Sequence, residues 1–366
     1  MKLKVNIVIA FIIAAILASC TSSTMGTLNK SVPSANALKS ESVKEYFNYQ
    51  NFSSSSIQKL EEYMGNLNLQ KNEKAILKEL ITNLKTIASK KKFTVNVSNS
   101  NIYSYELMEL VYDLDLPITI QWNDSNKGQL KKDSILEISS GFCSTIYEDA
   151  LESISDYIEK SNSSTLIIYM ADYAGLQKSL TAKFPKIKSI LFSKGYVQNF
   201  TSKILGINDS DDRFKKITSL NPNQELKFAP RARRDIENII LLLEPDQYKS
   251  VLPALKYHGG KKFRYINFIS SLENLDSINQ LLDFENSFVP FPQQLSLKVS
   301  NKEIISLEKI MQLSMLNDWL LIEIIKQSGI RSADILGMTG SLEYQKNSCT
   351  KRDIAIQRVT STWISS

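Results

Sequence analysis

Side chains that could perform acid–base or metal chemistry are scarce in this sequence. The chain of 366 residues contains one histidine, His258, placed by the pattern at the end of a helix beside Gly259-Gly260. A polar residue at a helix C-terminus is an ordinary role for such a histidine. A single histidine excludes zinc sites built from several, and neither a Walker loop nor a complete serine-hydrolase motif occurs. We therefore expect no catalytic residue, no metal and no cofactor.

Asp172 and Tyr173 are the best candidates for a ligand-binding cleft. They directly follow a strand predicted to end at Met170. The carboxyl ends of parallel strands are where α/β proteins bind ligands, so this pair would face such a cleft. Capping of the next helix by Asp172 explains the aspartate as well.

Arg231, Arg233 and Arg234 form a basic cluster directly before Asp235 and an apolar strand. One interpretation is a solvated rim whose arginines pair with nearby acids. The other is a contact surface for an anionic partner. Both interpretations remain open at the level of sequence.

Cys20 has the setting of a lipid-attachment site. Lys2 and Lys4 precede an apolar run from Val5 to Leu17, which is too short to span a bilayer as a helix. A cysteine after Leu-Ala-Ser resembles the bacterial lipobox, in which the thiol is diacylated and becomes the mature N-terminus. We predict a signal peptide at 1–19 and anchoring of Cys20 to a membrane. The alternative is an ordinary signal whose cleavage region happens to contain cysteine.

The net charge and the two remaining cysteines say less about partners and about covalent links. The formal net charge of +6 is spread along the chain and is too mild to indicate nucleic-acid binding, although it favours loose contact with anionic surfaces such as glycan. Cys143 and Cys349 could pair in an exported protein, but sequence cannot show that they are adjacent.

The elements that must position these residues follow from hydrophobic periodicity. Residues 20–42 are polar and non-periodic, which indicates a flexible tether, and residues 43–92 predict a short helical segment that caps the main domain. Strands and helices then alternate. Strands are predicted at 93–97, 116–122, 166–170, 187–192, 236–243 and 263–268, and helices at 104–114, 144–160, 173–184, 197–220 (in two pieces), 246–257 and 303–328. A closing hairpin is predicted from 337–344 and 352–364. This alternation predicts an α/β fold with parallel sheets covered by helices.

Several segments, in the same order, resemble the penicillin-binding protein activator lipoproteins (the LpoA/LppC family). Arg231–Ile239, Glu244–Gln247 and Leu252–Tyr257 resemble the family's RxDxD run and strand, its Pro-x-Gln helix start and its lxPxLxfy helix. Leu205–Ser210 resembles its LLGIDAS segment, Leu336–Leu342 resembles its lxGlTGtL segment, and Asn317–Trp319 lies where the family has GxDAY. The resemblance covers residues 95–366.

The resemblance implies a two-lobed fold like that of type I periplasmic binding proteins over residues 93–366. Lobe 1 would comprise 93–144 and 300–332, and lobe 2 would comprise 145–292 and 333–366. The cleft between the lobes is where Asp172 and Tyr173 would lie. The family's long N-terminal helical domain is missing, only 43–92 stand in its place, and the first lobe looks trimmed.

The resemblance also implies a function. Members of the family sit in the outer membrane, catalyse nothing themselves, and activate a class A penicillin-binding protein that builds peptidoglycan. Expected partners are therefore that synthase, the membrane through the acylated N-terminus, and peptidoglycan, with Arg231, Arg233 and Arg234 as the candidate partner surface. Thr21 after the cysteine is compatible with sorting to the outer membrane. The alternative is a solute-binding lipoprotein that closes on a small molecule between its lobes.

Overall fold

The computed structural model describes residues 46–66, 69, 71–98, 104–114, 116–123, 141–220, 227–272, 278–291 and 307–360. The predicted signal peptide, Cys20 and the tether lie outside the described residues. The same holds for the end of the predicted closing hairpin beyond residue 360.

The α-helices match the predicted segments to within a few residues. In chain order they are α1 (Ser54–Asn66), α2 (Lys71–Ala88), α3 (Ser104–Asp113), α4 (Ile146–Ser161), α5 (Ala174–Lys183), α6 (Val197–Ile204), α7 (Ile207–Leu220), α8 (Pro245–Gly259) and α9 (Leu307–Ser328). Short 3-10 helices occur at Tyr49–Phe52, Ala171–Tyr173, Gly260–Lys262, Ile269–Leu272 and Ile278–Phe284.

The strands fall into three sheets. In chain order they are β1 (Phe93–Ser98), β2 (Ile118–Asn123), β3 (Thr165–Tyr169), β4 (Lys188–Leu191), β5 (Asn238–Leu242), β6 (Arg264–Asn267), β7 (Phe288–Pro290), β8 (Ser332–Leu336), β9 (Ser341–Gln345), β10 (Lys351–Asp353) and β11 (Ile356–Arg358).

The largest sheet has six strands in the order β11-β7-β6-β5-β3-β4. Strands β4, β3, β5, β6 and β7 run parallel, and β11 is antiparallel to β7. The chain moves outward from β3 to β4 and then returns to the other side of β3 to build β5, β6 and β7. This is a doubly wound arrangement with helices as crossovers, and it confirms the predicted α/β class.

Strand β5 lies in the interior of this sheet because its sequence is apolar on both faces. All five of its residues are buried, and it pairs with β3 on one side and with β6 on the other. A strand that is covered on both faces shows a continuous apolar run rather than alternation. The predicted strand at 236–243 is correct in place and too long at both ends, since Glu237 already lies exposed before it.

A second parallel sheet consists of β1 and β2, with Phe93 opposite Ile118. Helices α9 and α3 pack near it, and α9 contacts β1 directly. The free edge of β1 is covered by Gln327 of α9, whose side-chain oxygen accepts from the N–H of Thr94 at 2.8 Å and whose amide donates to the Thr94 carbonyl at 2.7 Å. A glutamine thereby supplies the two hydrogen bonds that another strand would make.

The helices of the 43–92 segment pack against the rest of the chain. Helix α2 buries five side chains and contacts α9 as well as α1. Its Asn83 amide donates to the carbonyl of Ser332 at the start of β8.

The closing hairpin differs from its prediction in two ways. Strands β9 and β10 are antiparallel, but a third strand, β8, pairs with the other edge of β9. Beyond Asp353 the chain leaves this sheet, and Ile356–Arg358 pairs with β7 in the largest sheet. Sequence reasoning also missed β7, because three residues that end in Pro290 give no alternation to read.

Candidate functional site

The crevice predicted to hold Asp172 and Tyr173 lies at the switch point between β3 and β5. In a doubly wound sheet, ligands bind outside the carboxyl ends of the two strands at which the winding reverses. Residues Met170–Tyr173 follow β3 there, and Leu243 and Glu244 follow β5. We call these residues the switch-point crevice.

The two predicted cleft residues differ in their surroundings. Asp172 is exposed, in a short 3-10 turn. Tyr173 is half-buried, and its ring meets the Phe268 ring edge-on with centroids 6.2 Å apart. Phe268 is also 6.1 Å from the ring of Tyr147 on α4, so Tyr173 belongs to an aromatic cluster.

Helix capping does not explain Asp172. The N-cap of α5 is Tyr173, and no side chain caps that helix. The 3-10 turn before it begins after Met170, again without a side-chain cap. The aspartate is therefore a surface carboxylate at the edge of the crevice.

The backbone groups at the end of β5 are already hydrogen-bonded within the protein. The Tyr248 hydroxyl accepts from the N–H of Leu243 at 3.2 Å and donates to the carbonyl of Leu241 at 2.8 Å. The Ser270 hydroxyl donates to the Leu243 carbonyl at 3.3 Å. Burial raises the pKa of Tyr248 far above its usual range, so the hydroxyl stays protonated and can donate.

The Glu244 amide, also in the crevice, is occupied as well. The N–H of Glu244 donates to the sulfur of Met170 at 3.5 Å, and Met170 itself is buried. At the rim, Lys194 pairs with the Glu244 carboxylate at 3.1 Å. The chain's own side chains thus occupy the backbone groups at the end of β5, on one side of the place where a doubly wound sheet commonly binds a ligand.

The basic cluster lies at the opposite end of the sheet. Residues 231–234, here called the basic loop, precede β5 and stand at the amino ends of the strands, whereas Asp172 stands at their carboxyl ends. The structure therefore does not bring the two predicted sites together.

The members of the basic loop have different environments. The Arg233 guanidinium forms two hydrogen bonds with the Asp235 carboxylate, one at 2.6 Å, and lowers the pKa of Asp235 far below its usual range. Arg231 and Arg234 are exposed. The interpretation as a rim that pairs with acids holds for Arg233, and Arg231 and Arg234 present their charges to solvent.

A buried charge network that sequence reasoning missed joins α4, α9, β10 and the turn between β8 and β9. It consists of Asp149, Arg352, Thr339 and Asp318, all of them buried. Arg352 donates through Nε to the Asp149 carboxylate at 2.7 Å, and its NH1 lies 3.5 Å from the Thr339 hydroxyl. That hydroxyl in turn donates to Asp318 at 2.6 Å.

Asp318 is held by three donors. Besides the Thr339 hydroxyl, its carboxylate accepts the backbone N–H groups of Met338 and Thr339, each at 2.7 Å. Burial raises the pKa of Asp318 to about 6, although these hydrogen bonds and the charge of Arg352 act in the opposite direction.

A disulfide lies beside this network. Cys143 and Cys349 are bonded, with their Cα atoms 4.8 Å apart, so the pairing left open by the sequence is made. The N–H of Cys143 donates to the Thr350 carbonyl at 2.9 Å, and the N–H of Thr350 donates to the Gly141 carbonyl at 2.7 Å. The segment before α4 is thereby tied to the turn between β9 and β10.

The family resemblance in the sequence drew attention to two of the four residues of this network. Asp318 and Thr339 lie in two of the segments that carry the family resemblance, but nothing in the sequence shows that they touch. From the sequence alone, Asp149 is an acidic residue in the first turn of a predicted helix. Arg352 is an arginine in a predicted strand, with nothing to indicate that it is buried. Their burial depends on the packing of elements that are 203 residues apart.

The single histidine lies in the described part of the chain. His258 lies in the last turn of α8, and its Nε2 is 3.0 Å from the side-chain oxygen of Gln198. Among the described residues, no group of three or more His, Cys, Asp or Glu side chains is placed to hold a metal ion. No described helix combines the length and the apolar character needed to cross a membrane.

No protein-family model and no curated protein sequence matches the chain. Solved structures with a similar arrangement include a substrate-binding protein of an ABC transporter from Desulfitobacterium hafniense in complex with Leu, at 10% identity and a TM-score of 0.36, covering 72% of this chain and 96% of that one. An extracellular ligand-binding receptor from Rhodopseudomonas palustris has 9% identity and a TM-score of 0.37, covering 75% and 98%. One from Verminephrobacter eiseniae has 9% identity and a TM-score of 0.33, covering 87% and 84%. Sequence identities and TM-scores as low as these support no conclusion about function.

Proposed function

We propose that this protein is an exported, lipid-anchored regulator of peptidoglycan synthesis. It is held on the outer membrane through Cys20 and faces the periplasm, where it binds and activates a class A penicillin-binding protein. It performs no catalysis itself. The partner comes from the resemblance of residues 95–366 to the activator lipoproteins, and the anchor comes from the lipobox.

The occupied backbone groups on the β5 side of the switch-point crevice are the observation that carries this proposal. In a protein that closes on a small molecule, the backbone groups at the ends of β3 and β5 are natural contacts for that molecule. Here the hydroxyl of Tyr248, the sulfur of Met170 and the hydroxyl of Ser270 engage those at the end of β5. This favours action through an outer surface, as a regulator of another protein requires.

The mechanism would be a coupling of two equilibria. Binding of this protein to the active conformation of the synthase, more tightly than to the inactive one, shifts the synthase population toward activity. The acyl anchor restricts the search for that partner to the space beside the membrane.

A reconstituted synthesis assay tests the proposal. The purified mature chain with Cys20→Ser is added to a class A penicillin-binding protein from the same organism, and the rates of glycan polymerisation and crosslinking are measured. We expect both association in a crosslinking pull-down and a faster rate. Failure to capture any class A synthase would contradict the proposal.

A thermal-shift series tests the alternative, a solute-binding protein, which the exposed Asp172 beside an aromatic cluster favours. A true ligand at one hundred times its Kd stabilises the folded state by about 2.7 kcal/mol. We expect no shift with amino acids, sugars or muropeptides. A concentration-dependent rise in Tm that is abolished by Asp172→Ala would favour the solute-binding function instead.

A further inference from the structure

The end of α8 and the basic loop form one continuous surface. The Lys262 ammonium, in the 3-10 turn after α8, donates to the carbonyl of Ala232 at 2.9 Å and also to the carbonyl of Arg233. The loop is fixed from the other side as well, because the N–H of Arg233 donates to the carbonyl of Leu205 at 2.8 Å. Its backbone is thus held from two directions.

This surface carries exposed positive charge. Arg231, Arg234 and Lys261 are all exposed. Desolvation, and after it the charge of Arg234, lowers the pKa of Lys262, which is consistent with the two cations lying close together. Of the loop arginines, Arg233 is the one whose charge is engaged by Asp235.

An exposed aromatic ring lies four residues before Lys261 in the chain. Tyr257, in the last turn of α8, is 81% exposed. Its ring lies edge-on to the imidazole of His258, with the ring centroids 5.0 Å apart. His258 in turn is hydrogen-bonded to the side chain of Gln198. The chain behind the ring is tightly packed, since a Cβ atom on Gly259 would lie 2.6 Å from the Phe263 ring.

Together these groups have the chemistry that recognises a carboxylate-bearing glycan. The open face of a tyrosine suits the apolar C–H face of a sugar ring. Arginines and a lysine nearby suit discrete carboxylates. A uniformly anionic bilayer fits less well, because Asp235 and Glu237 are also exposed at this end of the sheet and would be pressed against lipid phosphates.

We propose that Tyr257, Arg231, Arg234 and Lys261 form a binding surface for a carboxylate-bearing glycan, with peptidoglycan as the natural example. The choice of peptidoglycan rests on the proposed function, which places the protein beside the cell wall. We assign this surface to the glycan rather than to the synthase. It would hold the protein at the wall while another face engages the enzyme.

Co-sedimentation with purified peptidoglycan sacculi tests the charged part of this surface. The mature chain with Cys20→Ser is compared with the same chain carrying Arg231→Ser, Arg234→Ser and Lys261→Ser. Lys262 is left unchanged because it fixes the loop. We expect the Kd for sacculi to rise about tenfold in the triple variant, and binding by the unaltered surface to weaken at high salt.

The matched charge control replaces Lys90, Lys91 and Lys92, three exposed lysines after α2, with serine. It removes the same net charge at a different place, so we expect its Kd to stay within twofold of the parent. Equal weakening by both triple variants would overturn the assignment, since binding would then depend on net charge alone.

Tyr257→Ala tests whether the tyrosine ring stacks on the sugar. Tyr112→Ala on α3 is its control, since the Tyr112 ring is likewise exposed, at 89%. We expect Tyr257→Ala to raise the Kd about three- to tenfold and the control to leave it unchanged. Far-UV circular dichroism and urea unfolding of each variant confirm that it is folded.

Two other probes identify the ligand chemistry. Chitin, an uncharged glycan, is expected to bind at least about tenfold more weakly than sacculi, and vesicles with anionic lipid are expected not to sediment the protein. Equal binding to chitin, or binding to vesicles that exceeds binding to sacculi, would overturn the proposal. Because no synthase is present, failure here leaves the activator function to be judged by its own assay.

Discussion

Single residues set the stability of the junction between α4, α9 and the small antiparallel sheet. Arg352 and Asp149 form an ion pair at 2.7 Å whose side chains are 0% and 2% exposed. The Arg352 guanidinium also lies over the Phe142 ring, 4.6 Å from its centroid. Such a pair contributes little net stability compared with an apolar pair, but the loss of one partner leaves a buried charge uncompensated.

Arg352→Met is therefore expected to lower the free energy of unfolding by about 3–5 kcal/mol, because it strands the Asp149 carboxylate. The double variant Asp149→Leu with Arg352→Met removes both charges and should regain most of that loss. Urea denaturation of the three proteins measures the difference. Lys85→Met, which breaks the exposed Lys85–Glu61 pair, serves as the control and should cost less than about 1 kcal/mol. A double variant no more stable than the single one would contradict the explanation.

Asp318 gives the protein a pH-dependent stability. Its pKa is raised to about 6 in the folded state, whereas an unfolded aspartate titrates near about 3.9. Between these values the folded protein binds a proton that the unfolded chain releases. This contribution to stability is therefore full below the unfolded pKa and is lost as pH rises through the folded one.

Asp318→Asn removes this titration. Relative to the variant, we expect the unfolding free energy of the parent protein to fall by about 2 kcal/mol between pH 4 and pH 7. Urea titrations at four pH values across this range provide the measurement. Parallel pH curves for the two proteins would show that Asp318 does not titrate as described.

At the scale of elements, the turn from β8 to β9 is built around close backbone contacts. A Cβ on Gly337 would lie 2.8 Å from the Asp318 carboxylate, and one on Gly340 would lie 2.4 Å from the carbonyl oxygen of Asp353. Gly340 also has φ +148, a conformation that other residues rarely adopt. The glycines let the turn approach both α9 and β10.

Gly340→Ala should accordingly destabilise the protein by about 2 kcal/mol or more, because strain and overlap act together. Gly175→Ala, in the first turn of α5, is the matched control. A Cβ there meets no atom within 4 Å, so the change should be neutral or stabilising by up to about 1 kcal/mol. Thermal and urea unfolding measure both, and similar effects of the two substitutions would contradict the role given to this turn.

The disulfide acts at the same scale, since it ties the entry to α4 to the β9–β10 turn across 206 residues of sequence. Replacing Cys143 and Cys349 by serine should lower the free energy of unfolding by about 2–4 kcal/mol. Reductant should lower the stability of the parent protein by a similar amount and leave the double variant unchanged. Detection of both thiols as free in the oxidised, unfolded protein would sink this prediction.

At the scale of the whole molecule, the two ends of the main sheet have different characters. At the carboxyl end, the backbone groups after β5 are occupied by the protein's own side chains. At the amino end, Arg231, Arg234 and Tyr257 are exposed. We therefore expect partner contacts at the amino end and the outer faces, with the chain tethered through its N-terminus.

The tether is tested through Cys20. Cys20→Ser should move the protein from the membrane fraction to the soluble periplasmic fraction and abolish incorporation of labelled fatty acid, because the acyl chains provide the anchor. Fractionation and labelling of cells that carry each form measure this. Ser19→Ala keeps a small residue before the cysteine and should leave anchoring intact. Persistent membrane association of the Cys20→Ser protein would contradict the proposed anchor.

Periodicity alone predicted most of the fold. The largely apolar strand β5 and the amphipathic helices α2 and α4 were predicted correctly, because their burial pattern is local to each segment. The three-residue strand β7 and the departure of β11 from the closing hairpin were missed. Their pairing depends on distant partners, so nothing in their own residues specifies it.

The residues of the candidate sites also divide into those indicated by neighbouring residues in the sequence and those brought together only by the fold. Residue types and order alone indicated the lipid-attachment cysteine, the basic loop and the two segments that hold Asp318 and Thr339, since each is a feature of neighbouring residues. Tertiary structure alone decided that Cys143 meets Cys349, that Arg352 is buried against Asp149, and that Tyr248, Met170 and Ser270 occupy the backbone groups at the end of β5. These are contacts between segments far apart in the chain, and only the packing of the helices on the sheets brings them together.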